Sequence, residues 1–484
     1  MHDLSFRACV FARGGAPVRT PRQRYALAWD KSTPLRRDLL VSLHTGDTIE
    51  VSVADVASGG WCLARPGDGP VVFVRHALPG ERVRARVTEV TARFARAEAV
   101  EILNPSPERT EAPCPSARPF GCGGCDWQHA ALPAQRALKA KVVTQQLRRL
   151  AGIEAEVTVE PLPGDEEPGD EDEPAAALDD GASDNSNKRP PGLGWRTRMQ
   201  YAVRPDGRAG LRAHRSHEVI DVGDCLIAHP SIADLGIGAL SWPGAETVEA
   251  ITSGDERAVI VGPVRPGSAE SEGVTAVTAE AVLSRAGRRL SPVRGRPYLY
   301  PRAAGRRWRV SAGAFWQVHP AAADTLAEAV LAALEPKPGD AVLDLYCGAG
   351  LFAGAVAPLV GPDGAVIAIE SDEAAVRDAR HNLRDTPWAR VHRGDVARLL
   401  RTGRTFSTAT LAIADPPRAG LARSVIEDLT AGQARRFAYV SCDPATLARD
   451  LGLLLARGWS LAGLRAFDAF PMTHHVECVV ILSR

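Results

Sequence analysis

The sequence predicts an α/β protein. A Rossmann-like, doubly wound and mostly parallel sheet is expected over residues 311–484, preceded by a small OB-like β-barrel (44–103) and a central, mostly β domain (104–310). Three observations carry this. The apolar runs AVLDLYCGAG, AVIAIE, ATLAIADPP, FAYVSCDP and HVECVVILS recur at intervals that fit crossover helices. Residues 44–103 alternate apolar and polar positions between Gly/Pro/Asp clusters, the pattern of a small barrel. Further alternating segments joined by turn signals, WRTRMQYAVRPDGRAGLRA and SHEVIDV, lie between them.

Composition bounds the function. A hydrophobic fraction of 45% and a charged fraction of 24% are globular values that exclude collagen, coiled coil and wholesale disorder. Lys+Arg and Asp+Glu balance at 58 each, so the net charge is zero. The charges are unevenly placed, however, and a nucleic-acid partner is not excluded. Only five of the 58 bases are lysine, which reads as GC-rich coding bias rather than as a signal. No run reaches the roughly 18 apolar residues of a membrane span, and the N-terminus has no apolar stretch of secretory length. The expectation is a cytoplasmic protein with no membrane partner. In that compartment its nine cysteines serve metal ligation or catalysis rather than disulfides.

Taken in order, residues 1–43 are basic, with eight Lys/Arg, and are expected to be a disordered tail. In the barrel, Arg82, Arg84, Arg86, Arg93 and Arg96 give a basic flank of the kind that lines a groove for single-stranded nucleic acid. Residues 104–150 hold a cysteine cluster and the helical stretch AALPAQRALKAKVVTQQLRRLAGI. Within 160–190, PLPGDEEPGDEDEPAAALDDGASDNSN contains ten acids and no base, and is expected to be a disordered acidic insertion.

The run VLDLYCGAG ends a buried strand in Gly348-Ala349-Gly350, where glycine permits a tight turn and close approach of a ligand to the backbone. The next strand ends in Glu370, 20 residues after Gly350 and placed to hydrogen-bond a ribose diol. The third glycine of the dinucleotide fingerprint is missing from GAGLFA, which argues against a pyrophosphate and for a phosphate-free nucleoside cofactor, S-adenosyl-L-methionine. Asp395, in HRGDVARLL, either contacts adenine or caps a helix.

Two segments carry the chemistry. IADPPRAG places Asp415 at a strand end, and Arg418 stands where an enzyme methylating an exocyclic amine would carry an aromatic residue. YVSCDP places Cys442 at the end of another strand, and HHVECVV places Glu477 at the start of the last one. Carbon 5 of a pyrimidine is a poor nucleophile until a thiolate adds at carbon 6. A base must afterwards remove the carbon-5 proton so that the thiolate can leave. That reaction needs one Cys and one carboxylate around a bound base, and Cys442 and Glu477 can serve.

In order, CGGCDWQH, GAFWQVHP, DLYCGAG, the strand-end Glu370, DPPR, SCDP and HVE resemble the S-adenosylmethionine-dependent RNA uracil-C5 methyltransferases with an N-terminal TRAM domain. The resemblance covers roughly 44–484 apart from the acidic insertion. It implies a class I methyltransferase domain, Cys442 as nucleophile and Glu477 as general base. Cofactor contacts are implied at Gln317, Tyr346, Glu370 and Asp415, beside Gly348 and Asp395. It also implies an RNA partner, acted on by a monomer. Ribosomal 23S RNA is favoured over transfer RNA, because transfer-RNA-specific bacterial members generally lack the barrel and the cluster cysteines. Two positions depart from the family: Asp443 stands for an Asn beside the nucleophile, where a further carboxylate would raise the thiol pKa, and Leu351 stands for an Asn after GxG. These departures support the alternative of an RNA-binding protein with a vestigial methyltransferase domain.

Cys114, Cys122 and Cys125 lie in CPSARPFGCGGCDWQH and Cys225 follows in VGDCLIAHP. Four thiolates fit zinc or a [4Fe–4S] cluster, and spacing alone does not choose between them. The resemblance implies [4Fe–4S]. The seven-residue gap after Cys114 is longer than the five expected for the family, which makes Cys114 the least secure ligand. The cluster's expected role is structural and RNA-orienting.

Overall fold

The computed structural model describes residues 43–66, 69–166, 190–264, 272–402 and 404–484. The basic tail and residues 167–189 of the acidic insertion lie outside the described residues. The chain divides after Arg109 into two compact units.

In the first unit, β1 (Thr48–Ala57), β2 (Trp61–Ala64), β3 (Val71–Arg75), β4 (Arg82–Val90) and β5 (Phe94–Asn104) close into a barrel in the order β1-β2-β3-β5-β4. Strand alternation sends Val51, Val53, Val72, Val74, Val83, Ala85 and Val87 into its core. Three of the five arginines of the basic flank stand in cross-strand ion pairs. Arg84 of β4 stands opposite Glu50 of β1 and Glu101 of β5, and Arg96 stands opposite Glu89. Arg82 and Arg84 reach Glu50 at 2.7 and 3.4 Å, Arg84 also pairs with Glu101, and Arg96 pairs with Glu89.

In the second unit, β6 (Val159–Pro161) precedes the central strands β7 (Arg198–Val203), β8 (Ala209–Arg212), β9 (Val219–Ile220), β10 (Thr247–Ser253), β11 (Glu256–Val261), β12 (Ala281–Ala286) and β13 (Arg289–Arg294). These seven form a sheet in the order β13-β12-β11-β10-β7-β8-β9. Two short ribbons, β14 (Tyr298–Leu299) with β17 (Val310–Ser311) and β15 (Arg302–Ala303) with β16 (Arg306–Arg307), lead out of it. The third sheet comprises β18 (Ala341–Leu345), β19 (Ala365–Glu370), β20 (Ala389–Arg393), β21 (Leu411–Ala414), β22 (Arg436–Ser441), β23 (Ser460–Asp468) and β24 (Glu477–Ser483), with β6 as an edge strand. Its order is β20-β19-β18-β21-β22-β24-β23-β6. β18 to β22 are parallel, and β24 runs antiparallel beside β22. The strand order reverses between β18 and β21, so the crevice of a doubly wound sheet opens beyond their carboxyl ends.

Both faces of this sheet are covered, which is why its strands read as unbroken apolar runs. Val342, Val366, Ile413, Val440 and Val479 belong to one core layer with the helices Ala322–Leu334 and Leu351–Val360. Leu343, Ile367, Ala412, Tyr439 and Val480 belong to the opposite layer, with the helices Leu132–Gln146, Arg423–Ala431 and Pro444–Leu455. Gly354 lets the Leu351–Val360 helix close on Trp308, since a Cβ there would lie 2.4 Å from the indole.

The acidic insertion is anchored at its stem. Asp165, inside the stretch expected to be disordered, is buried. Its Oδ2 lies 2.8 Å from His319 Nε2, and its Oδ1 accepts from the Gly192 amide at 2.9 Å. A charge-rich composition concealed one carboxylate that has a specific buried partner. No helix among the described residues is long and apolar enough to cross a membrane.

Candidate active site

Side chains alternate across a sheet, and that alternation assembles the site. Asp344, Glu370 and Glu477 each lie two positions from a residue of the first core layer, namely Val342, Ala368 and Val479. Asp415 and Cys442 follow Ile413 and Val440 in the same way. The five residues therefore face one side of the sheet at one edge. Ser441 of β22 pairs with Cys478 of β24, so Cys442 and Glu477 are the next residues along the two strands. An antiparallel last strand is what brings its first residue beside the last residues of its parallel neighbours.

The electrostatics follow from burial. Burial pushes the Cys442 thiol up to about 11, helped by the Glu477 and Asp415 carboxylates, while Arg418 acts against them by charge and by a hydrogen bond to the thiol. Burial likewise pushes Glu477 well above the usual carboxylate range, with Asp415 adding to the rise and Arg418 opposing it. Asp415 is raised by burial. Arg418 is thus the cation of a site otherwise built of carboxylates and a thiol. Sequence reasoning used Arg418 only to disfavour amine methylation, because its proximity to Cys442 depends on which strands are neighbours. Asp443, beside the nucleophile, has a structural task of its own. Its Oδ1 caps the Pro444–Leu455 helix by accepting from the Thr446 amide at 2.8 Å, the job an Asn would do. The carboxylates that raise the thiol are Glu477 and Asp415.

The loop carrying Asp415 and Arg418 is held from below. Asp450 Oδ2 accepts from Tyr439 Oη and from the Leu421 amide, both at 2.8 Å, and Arg449 donates to the Ala419 carbonyl at 2.9 Å. Gly420 has φ +76°, and a Cβ there would meet Asp450 at 2.4 Å, so only glycine fits this close approach.

Tyr346, Gly348 and Glu370 gather at the end of β18. Tyr346 is half-buried with φ +62°, a left-handed backbone uncommon for a bulky residue. The Gly348 amide donates to Glu370 Oε2 at 3.1 Å, and the Ser371 and Asp372 amides donate to Oε1 at 2.6 and 2.7 Å. Asp344, not singled out from the sequence, is fully buried beneath this turn. Its Oδ2 accepts from the Ala353 amide at 2.8 Å, and burial raises its pKa to about 8. Asp395 caps a helix, accepting from the Arg398 amide at 2.9 Å, while its charge reaches Tyr346. Gln317 is buried on the segment after β17, where the adjacent Trp316 packs on the core beneath the strand ends. Leu351 opens the following helix and is buried in that core.

The cysteines form a second constellation. Cys114, Cys122, Cys125 and Cys225 line one cavity of about 410 Å³ with Gln128 and Arg196. The long gap after Cys114 folds back on itself through Cys122 N to Ser116 O (2.9 Å) and Gly121 N to Arg118 O (2.9 Å), which returns Cys122 to the cavity. A Cβ on Gly123 would lie 2.8 Å from His214, so the CGGC turn needs glycine to seat against the central domain. Donors already face two of the sulfurs: Gly124 N to Cys122 at 3.4 Å and Gln128 Nε2 to Cys125 at 3.2 Å. Such donors suit anionic sulfur. Among the described residues, no three His, Cys, Asp or Glu side chains converge on a point where one metal ion would sit.

Residues 301–484 match the family model described as tRNA (Uracil-5-)-methyltransferase, and residues 43–100 match the TRAM domain. A Streptomyces avermitilis protein named "Uncharacterized RNA methyltransferase" is 51% identical over 90% of this chain and 98% of its own. The 23S rRNA (uracil(1939)-C(5))-methyltransferase RlmD of Pseudomonas putida is 33% identical over 86% of this chain and 89% of its own. Among solved structures, the Pyrococcus abyssi tRNA (uracil-54, C5)-methyltransferase in complex with S-adenosyl-L-homocysteine has a TM-score of 0.63 at 21% identity, covering 89% of this chain and 99% of that one. At that identity the likeness concerns the fold.

Proposed function

Because the chain belongs to the TRAM-containing RNA uracil-5-methyltransferase family, we propose that it methylates carbon 5 of a uridine in 23S ribosomal RNA through a covalent bond between Cys442 and the base. The observation that carries this reading is the placement of Cys442 and Glu477 on adjacent strand ends and one face, with Asp415 and Arg418 beside them.

S-adenosyl-L-methionine, when bound, supplies an electrophilic methyl group on a sulfonium. The residues that would hold it are Glu370 and Asp395 toward the adenosine, the Gly348 turn with Tyr346, and Gln317 and Asp415 toward the methionine end and the base. Cys442 loses its proton to solvent water and the thiolate bonds to carbon 6, so that the π electrons of the carbon 5–carbon 6 bond pass into an enolate and carbon 5 becomes nucleophilic. Arg418 favours the thiolate by charge and hydrogen bond, against the two carboxylates. Once carbon 5 carries the methyl group, Glu477 accepts its proton, the carbon 5–carbon 6 double bond re-forms and the sulfur leaves as thiolate. A carboxylate whose proton affinity is raised by burial is a stronger base for that step than an exposed one. Of the two departures from the family pattern, Asp443 caps a helix and Leu351 packs in the core.

Ribosomal RNA is favoured by the 33% identity to a 23S rRNA enzyme over most of both chains. Incubation with tritiated methyl donor and unmodified 23S rRNA or transfer RNA tests this. Label at carbon 5 of a 23S uridine is expected. Label in transfer RNA alone would reverse the substrate assignment, and no label in either would overturn the activity.

Cys114, Cys122, Cys125 and Cys225 are proposed to hold a [4Fe–4S] cluster that fastens the segment before the Leu132–Gln146 helix to the central domain. Chain purified without oxygen should contain iron and acid-labile sulfide in equal amounts, and Cys225→Ser should lose both together. Zinc without sulfide would contradict the assignment.

A further inference from the structure

The cysteine loop and the strand bearing Glu477 are joined by contacts that the chemistry above does not use. Asp126, next to Cys125, and Trp127 both donate their amides to the Met472 carbonyl, at 2.9 and 3.1 Å. Gln135 Oε1 accepts from the Met472 amide at 2.8 Å, and Met472 is held at φ +66°. Lys139 pairs with Asp468 and donates to the Phe470 carbonyl at 3.0 Å. The loop from Asp468 to Val476 is thus fastened along its length, and its last fastening is the most specific. Asp126 Oδ2 accepts from the His474 amide at 3.2 Å and lies 2.6 Å from His474 Nδ1. The His474 and His475 ring centroids are 4.1 Å apart. His475 Nε2 lies 3.3 Å from Arg418 Nη2. A guanidinium has only donors, so His475 Nε2 accepts and its ring is neutral. Arg418 in turn opposes the rise that burial imposes on both Cys442 and Glu477.

We propose that Asp126 and His474 are positioning residues for methyl transfer: they fix the loop so that His475 accepts from Arg418, which aims Arg418 at Cys442 and Glu477. The inference rests on the reading of Cys442 and Glu477 given above. It assigns to the residue after CGGC a task distinct from ligation. Neither Asp126 nor His474 is placed against RNA or cofactor, so their loss lowers turnover and leaves binding alone.

The full-length protein with its cofactors carries the test. Asp126→Ala and His474→Ala should each lower kcat by about 10²-fold, the order of loss for an ångström-scale misplacement, with KM for RNA and for methyl donor nearly unchanged. The double variant should be no worse than either single one, because both remove the same contact. Asp126→Asn keeps an oxygen where Oδ2 now accepts and should restore most of kcat. Alkylation of Cys442 by iodoacetamide at fixed pH, followed by peptide mass spectrometry, reads the position of Arg418 without RNA. It should slow about tenfold in both alanine variants, as for a rise of one pKa unit. An unchanged kcat, a loss confined to KM, additive losses, or unaltered alkylation in both folded variants would overturn the inference. If Asp126→Ala does not fold, the half-buried His474→Ala decides the matter by the same readouts. Wild-type protein that methylates no uridine would instead refute the proposed activity, and the alkylation arm would still judge the positioning.

Discussion

Cys442→Ala is expected to lower methyl transfer by at least about 10⁴-fold, the scale of losing a covalent nucleophile, while RNA and methyl-donor affinities stay near wild type. The thiol is half-buried. Truncation to a methyl group therefore removes little packing, and the melting temperature should barely move. Cys442→Ser sharpens the result. An alkoxide is much harder to form and a poorer leaving group, so serine should fail almost as completely as alanine. Single-turnover rates and filter binding on the same samples separate chemistry from affinity. Residual activity within about tenfold of wild type would mean that carbon 5 is activated by another route.

Much of this site is legible in the sequence because a parallel sheet covered on both faces writes its strands as apolar runs. The last residue of each run is then a chemistry-bearing position. Glu370, Asp415 and Cys442 are read in that way, Glu477 by standing at the start of the last run, and Tyr346 from the family resemblance. Residues whose role depends on strand adjacency were not legible. Arg418 reaches Cys442 because β24 enters antiparallel beside β22. Arg82, Arg84 and Arg96 of the barrel meet Glu50, Glu101 and Glu89 through strand register, which the sequence does not display. Asp165 was lost among ten acids, although it alone of that run is described with a buried histidine partner. Asp395 carried two readings, and hydrogen bonding shows the helix cap. The segment Val159–Pro161 gave no sign that it would pair with β23.

The second large effect is on stability. Lys139→Met is expected to destabilise the second unit by about 3–5 kcal/mol, because it strands a buried carboxylate without its counter-charge. Lys139 and Asp468 are both almost wholly inaccessible, and the lysine also donates to the Phe470 carbonyl at 3.0 Å. Asp468 Oδ2 has no hydrogen-bond partner among the described residues, so the ammonium is its chief compensation. The sequence places this lysine on a helix that reads as an ordinary amphipathic one, and the buried ion pair appears only when that helix lies against the end of β23. Asp468→Leu combined with Lys139→Met should recover most of the loss, since an apolar pair of similar volume pays no desolvation. Urea unfolding of the wild type and the two variants measures both quantities. A loss under about 1 kcal/mol for Lys139→Met would contradict the burial argument, as that is the scale of an exposed pair.

The covalent route stands or falls with Glu477→Gln. Glutamine keeps the shape of the side chain but cannot accept the carbon-5 proton, so addition and methylation proceed and release does not. Mixing this variant with RNA and methyl donor should accumulate a denaturation-resistant protein–RNA species, in which the peptide containing Cys442 carries a methylated uracil. Release of methylated RNA at the wild-type rate, or a trapped species attached at any other residue, would contradict it.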